Sequence, residues 1–262
     1  MNGKWYIIVT ILFAWMLAFT LHDDSIPMTF NGEILDKPFL GGFNRPKIQW
    51  LDWDNDGDLD LFLLDASGYL RHIENQGTAS VPDFNLITVS FQNIFCGGWF
   101  HFADFDFDED LDLATQNEDD PDHITYYINS GGQLDFMATL LNNGGGYVTS
   151  SSVMTPTFAD IDNDGDLDFF TGNMVGTLTY YENSGSSNNI PQFEFVTNSW
   201  QDISIVGGTR TEDRHGASAI TFIDLDGDGD LDLSWGDFFQ QSLYIIWNSG
   251  SAESPQMIEV TS

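Results

Sequence analysis

Four stretches of alternating aspartates are the residues of this chain best suited to chemistry. They read DWDNDGDLDL from Asp52, DFDFDEDLDL from Asp104, DIDNDGDLDF from Asp160 and DLDGDGDLDL from Asp224. Calcium takes six to eight oxygen ligands at about 2.3–2.6 Å in a flexible cage. A D-x-D-x-D-G-x-x-D loop supplies them, because alternate side chains at positions 1, 3 and 5 converge on one point. Position 7 offers its backbone carbonyl, and the aspartate at position 9 closes the cage. The candidate ligands are Asp52, Asp54, Asp56, Asp58 and Asp60 in the first loop and Asp104, Asp106, Asp108, Asp110 and Asp112 in the second. The third holds Asp160, Asp162, Asp164, Asp166 and Asp168, and the fourth Asp224, Asp226, Asp228, Asp230 and Asp232. Up to four calcium ions are expected.

Position 6 bends the loop, and glycine reaches the positive φ needed there without strain. Gly57, Gly165 and Gly229 fill it; Glu109 replaces glycine in the second loop. An EF-hand is excluded, since position 12 would be Glu and is Leu63, Thr115, Thr171 or Trp235. The alternative to metal is a set of Asp turns bonded to their own backbone. It accounts poorly for the clustering: 20 of the 41 acidic residues are these loop aspartates, and carboxylates about 4 Å apart repel one another without a cation.

The loops recur at spacings of 52, 56 and 64 residues, so a repeated unit positions them. A second shared element follows each loop: HIENQG ending at Gly77, YYINSG at Gly131, YYENSG at Gly185 and IIWNSG at Gly250. A third, a proline two residues before an apolar residue, follows in three repeats, at Pro82, Pro191 and Pro255. Each repeat reads as four short strands. Strand A enters the loop, B leaves it, C precedes the Asn-x-Gly turn and D follows the proline. The expected fold is therefore all-β, a β-propeller of four-stranded blades at about 47–90, 98–140, 156–197 and 217–260, preceded by a lone strand at 26–31. Two closures are compatible with this count: a piece of a larger ring, or a four-bladed ring with a spare strand.

With a net charge of −34 and seven basic residues, the chain repels nucleic acid and anionic surfaces. Its 42% hydrophobic content supplies a core. Cys96 is the only cysteine, which excludes an internal disulfide and thiolate zinc sites and suits a buried small hydrophobe. Lys4 followed by the uncharged run Trp5–Leu21 has the form of a secretory signal over 1–21, with a retained membrane anchor as the rival. Both place the remainder outside the cell. Neither G-x-S-x-G nor H-E-x-x-H occurs, so no catalytic constellation is visible.

The Asp cores, the Asn-x-Gly turns and Phe95-Cys96-Gly97-Gly98 before a strand A resemble FG-GAP/VCBS repeats of the integrin-α type, from Ile26 onward. The resemblance implies calcium held on one face between strands A and B, with ligands bound from the opposite face. It implies rings of about seven blades. The opposite-face connections are then 117–122, 142–152, 173–176 and the long insertion 198–216. Trp200, Arg210, Arg214 and His215 in that insertion are candidate contacts for an acidic sugar or a partner carboxylate, unless the arginines only balance Glu212 and Asp213. The expected function is an extracellular adhesion or ligand-binding module for a cell-surface protein or glycan, with no nucleic acid partner. Membrane contact is expected only if the N-terminal segment is retained. A structural spacer and a propeller-scaffold polysaccharide lyase or hydrolase are the alternatives.

Overall fold

The computed structural model describes residues 29–34, 43–151, 153–204, 217–237 and 242–258. Four antiparallel four-stranded sheets in a ring form a four-blade β-propeller. Blade 1 comprises β3 (Lys47–Leu51), β4 (Asp60–Leu64), β5 (Leu70–Asn75) and β6 (Phe84–Thr88). Blade 2 comprises β7 (Phe100–Ala103), β8 (Asp112–Gln116), β9 (Ile124–Asn129) and β10 (Leu134–Thr139). Blade 3 comprises β11 (Thr157–Ala159), β12 (Asp168–Gly172), β13 (Leu178–Ser187) and β14 (Ile190–Thr197). Blade 4 comprises β15 (Ala217–Ile223), β16 (Asp232–Asp237), β17 (Ser242–Asn248) and β18 (Met257–Ile258). Every blade pairs its strands in sequence order, so all the connections within a blade are hairpins.

The second strand of each blade lies between two neighbours, which explains its composition. All five residues of β8 and of β12 are buried, because both faces of the sheet meet another blade. Aromatic residues seal these junctions. Phe62 meets Phe102 at 4.8 Å between blades 1 and 2, and Phe105 meets Phe158 at 4.9 Å between blades 2 and 3. Phe170 meets Phe222 at 4.6 Å between blades 3 and 4. Three apolar clusters follow the same order, one per junction. Gln49 adds a polar tie between blades 1 and 2, donating to the Phe102 carbonyl and accepting its N–H at 2.7 and 2.8 Å.

Blade 3 departs from its siblings at its outer hairpin. There β13 runs on through the Asn-x-Gly element to Ser187, and Asn188 and Asn189, both at positive φ, turn the chain into β14. Two left-handed central residues suit the twist of a tight hairpin.

Residues 43–262 form one compact unit and residues 1–42 another. In the latter, β1 (Thr29–Phe30) pairs with β2 (Glu33–Ile34) through a turn at Asn31-Gly32. The strand expected at 26–31 thus belongs to a small hairpin. The apolar run at 1–21 lies outside the described residues. Among the described residues no helix is long and apolar enough to cross a membrane.

Candidate metal centres

Each Asp loop joins the first strand of a blade to the second, so all four occupy the same end of their hairpins. Position 1 organises the turn. Asp52 accepts the N–H groups of Asp56 and Gly57 at 3.1 and 3.0 Å, and Asp160 those of Asp164 and Gly165 at 3.1 Å. Asp104 accepts three amides, from Phe107, Asp108 and Glu109, at 2.7, 3.2 and 3.0 Å. Asp224 takes those of Gly227 and Gly229 at 2.7 and 3.1 Å. Position 5 likewise accepts the amide of position 7 in every loop, at 2.9–3.1 Å.

Backbone bonding does not explain the remaining carboxylates. Both oxygens of Asp106 and the Oδ1 atoms of Asp58, Asp162 and Asp230 are buried without a hydrogen-bond donor. Such oxygens are costly to bury unless a cation or proton meets them. Burial, with neighbouring aspartates adding to it, raises the pKa of Asp54, Asp58, Asp106, Asp162, Asp166, Asp226 and Asp230. Oxygens of Asp52, Asp54 and Asp56 lie within 4.8 Å of one another, as do those of Asp104, Asp106 and Asp108 and those of Asp160, Asp162 and Asp164. In the fourth loop the mutually close set is Asp224, Asp226 and Asp232. A hard divalent cation fits this donor set: clustered carboxylates, no nitrogen or sulfur, and acceptors left unpaired.

Positions 7 and 9 differ from the sequence expectation in an informative way. Position 7 was expected to use only its carbonyl, yet the side chains of Asp58 and Asp230 are themselves buried. Position 9 is a structural anchor as well as a ligand candidate. Asp60, Asp112, Asp168 and Asp232 are all buried, and each accepts the backbone N–H of an asparagine in the third strand. These are Asn75, Asn129, Asn183 and Asn248, at 2.7–2.8 Å. The same asparagines hold the outer turn. Asn183 Oδ1 accepts the amides of Gly185 and Gln192 at 3.2 Å, and its Nδ2 donates to the Leu167 carbonyl at 3.1 Å. Asn129 Nδ2 donates to Leu111 at 3.1 Å. The Asp loop and the Asn-x-Gly turn therefore recur together because one buried asparagine ties them. The recurring Asn was visible in the sequence, but only as a turn residue.

The residue three before each of these asparagines decides what else position 9 does. Tyr126 donates to Asp112 at 2.6 Å and Tyr180 to Asp168 at 3.2 Å, while His72 lies 3.6 Å from Asp60. Ile245 fills this place in blade 4 and offers no donor, and there Asp232 joins the metal set.

At the opposite ends of β3 and β4 lies a cleft of about 310 Å³ lined by Asn44, Arg45, Lys47, Leu64, Asp65, Ala66, Gly97 and Gly98. The three lysine and arginine residues of the described region, Arg45, Lys47 and Arg71, gather here. Lys47 donates to the Gly98 carbonyl, and Arg71 approaches Asp65 at 3.8 Å and the Phe43 ring at 5.5 Å. Burial, with Arg45 nearby, lowers the Lys47 pKa.

Trp200 corrects an expectation. It was a candidate stacking surface, but its ring is buried against Phe170, Tyr180 and Phe222 in the junction of blades 3 and 4. Arg210, Arg214 and His215 lie outside the described residues. Cys96 is fully buried, and burial pushes its thiol pKa up.

A family model for the FG-GAP-like repeat matches residues 52–115, 104–171 and 160–235. No curated protein matches the chain.

Proposed function

This chain belongs to the FG-GAP-like repeat family, and from that premise we propose that it is an extracellular, calcium-stabilised propeller that binds a cell-surface protein or glycan. The observation that carries the calcium reading is the set of buried carboxylate oxygens without donors in four equivalent loops. Calcium prefers such flexible all-oxygen cages, whereas magnesium demands a tighter octahedron and retains its waters. Extracellular calcium modules bind with Kd of about 10⁻⁴–10⁻³ M, an affinity useful only where calcium is millimolar. The sequence pattern at 1–21 agrees with export.

Binding rather than catalysis is the reading for the other face. Filled loops have their carboxylates engaged by metal, whereas the connections at the opposite ends remain available on a rigid scaffold. The cleft at Arg45 and Lys47 favours a carboxylate-bearing partner, such as an acidic glycan, in an otherwise strongly acidic molecule.

Thermal unfolding in chelator, millimolar magnesium and millimolar calcium tests the metal reading. Each filled site adds about 1.4 kcal/mol at tenfold excess over Kd, so calcium raises Tm well beyond magnesium. Asp164→Ala lowers the calcium stoichiometry by one. Identical melting curves in chelator and calcium would refute the proposal. A glycan array with Arg45→Ala as control tests the ligand face; equal binding by the variant removes the cleft from the reading.

A further inference from the structure

Two Asp loops with almost one sequence are not equivalent in the folded chain. The first reads DWDNDGDLD from Asp52 and the third DIDNDGDLD from Asp160, so from position 1 to position 9 they differ only at position 2, Trp53 against Ile161. Yet the buried oxygen that lacks a donor sits in a different place in each. In the third loop it is at position 3, on Asp162. In the first it is at position 7, on Asp58, which is 6% exposed.

The other two loops sort the same way. The second behaves like the third, with both oxygens of Asp106 unpaired, and the fourth like the first, with Asp230 unpaired and 6% exposed. Position 7 of the second and third loops, Asp110 and Asp166, is only half-buried and has no such oxygen. Position 3 of the first and fourth loops, Asp54 and Asp226, is exposed, where water meets the carboxylate.

The surroundings of position 9 divide identically. Tyrosine hydroxyls donate to Asp112 and Asp168 in blades 2 and 3. Blades 1 and 4 have His72 and Ile245 in that place, the first 3.6 Å from Asp60, beyond hydrogen-bond range, and the second without a donor. Asp58 with Asp60, and Asp230 with Asp232, are thus pairs of buried carboxylates that repel one another. Among the described residues no lysine or arginine pairs with them. Buried charges of this kind are tolerated when a counter-charge or a metal meets them.

We infer that the four centres are of two kinds: Asp58 and Asp230 serve the first and fourth loops through their position-7 side chains, as the position-3 side chains of Asp106 and Asp162 serve the second and third. The inference rests on the calcium reading above and adds which carboxylate each loop cannot lose. Ligand charge count sets calcium affinity in such loops. The carboxylate already buried without a donor is therefore the one whose loss weakens a site most, whereas an exposed one is replaced by water.

The test is calorimetric calcium titration of the full chain, with substitutions to Asn that keep the side-chain shape and remove its charge. Asp58→Asn lowers the number of ions bound at millimolar calcium by one, and Asp166→Asn, the same position in the near-identical loop, leaves the native number. At position 3 the order inverts: Asp162→Asn loses one ion and Asp54→Asn none. Asp230→Asn repeats the Asp58→Asn result in the fourth loop. Melting in chelator separates ligation from packing. There Asp58→Asn and Asp230→Asn unfold at or above the native temperature, because an unpaired buried charge is gone, and calcium then raises their Tm less than the native one. Equal ion counts for Asp58→Asn and Asp166→Asn overturn the inference while leaving the calcium reading intact. So does a lowered Tm in chelator with the native ion count, which makes position 7 a packing residue. A native chain that binds no calcium overturns both.

Discussion

The second and third Asp loops follow the same path with different residues. In the third, the two left-handed positions are held by Asn163 and Gly165, at φ 58° and 98°. In the second they are Phe107 and Glu109, at 66° and 73°, residues that avoid this region at a cost of roughly 1–2 kcal/mol each. Glycine is therefore not what determines the path. The aspartate at position 1 gathers the loop amides, while position 9 is fixed by the strand asparagine, and the loop between them has little freedom. Strain in the second loop accompanies more unpaired acceptors: both oxygens of Asp106 lack a donor, against one of Asp162.

If the asparagine side chain helps to set the path, removing it should destabilise both blades despite their different strain, even though the backbone N–H bond to position 9 remains. Asn183→Ala removes three side-chain hydrogen bonds and Asn129→Ala two. With about 1 kcal/mol per bond and further loss where buried partners go unpaired, we expect about 3 and 2 kcal/mol of destabilisation in denaturant unfolding. A loss under about 1 kcal/mol in either blade would mean that the tie does not hold the loop.

Titration separates the same two blades. Burial raises Asp112 to about 6 and Asp168 to about 7, from a usual 3.8. A carboxyl whose folded pKa is raised favours the fold while protonated. Its contribution is present below the unfolded pKa and is lost as pH rises through the folded one. Without calcium, Tm therefore falls between pH 4 and 7, Asp112 completing its loss near pH 6 and Asp168 near pH 7. Asp112→Asn flattens the lower part of the slope and Asp168→Asn extends the flattening upward. Saturating calcium reverses the trend, since the metal competes with protons for these oxygens. Parallel pH profiles for native and both variants would show that these groups do not govern the response.

Much of this architecture was legible in the sequence for a physical reason. Loop spacing, strand alternation and turn residues are local, so strands such as Thr157–Ala159 and the positive φ of Glu109 follow from short-range pattern. What the pattern did not contain was the direction in which a side chain faces a neighbouring blade. Trp200 looks like a surface aromatic in a long insertion, yet a single turn of 3₁₀ helix at Trp200–Asp202 directs it into the junction. Position 7 was read as a backbone-carbonyl ligand alone, while the side chains of Asp58 and Asp230 are buried. The left-handed backbone at position 4 was also hidden, because Phe107 gives no hint of it.

The smallest expected effect isolates backbone strain from everything else in the two loops. An added Cβ at Gly165 meets no atom within 4 Å, so Gly165→Glu changes conformational preference and charge but not packing. Glu109→Gly is the reverse exchange on the same path. Relief of left-handed strain contributes roughly 1–2 kcal/mol, and the greater unfolded-state freedom of glycine offsets about 0.4–1 kcal/mol of it. We therefore expect Glu109→Gly to stabilise the chain by about 1 kcal/mol and to tighten the second calcium site, and Gly165→Glu to destabilise by a similar amount. The double variant returns to near the native value, since the loops lie in different blades and share no hydrogen bond. Charge is controlled by Glu109→Gln, which keeps the Cβ and removes the carboxylate. If the glutamine variant gains as much as the glycine variant, the penalty in the second loop is repulsion among acids. If only the glycine variant gains, the penalty is the backbone, and the hydrogen-bonded frame is what compels Glu109 to bear it.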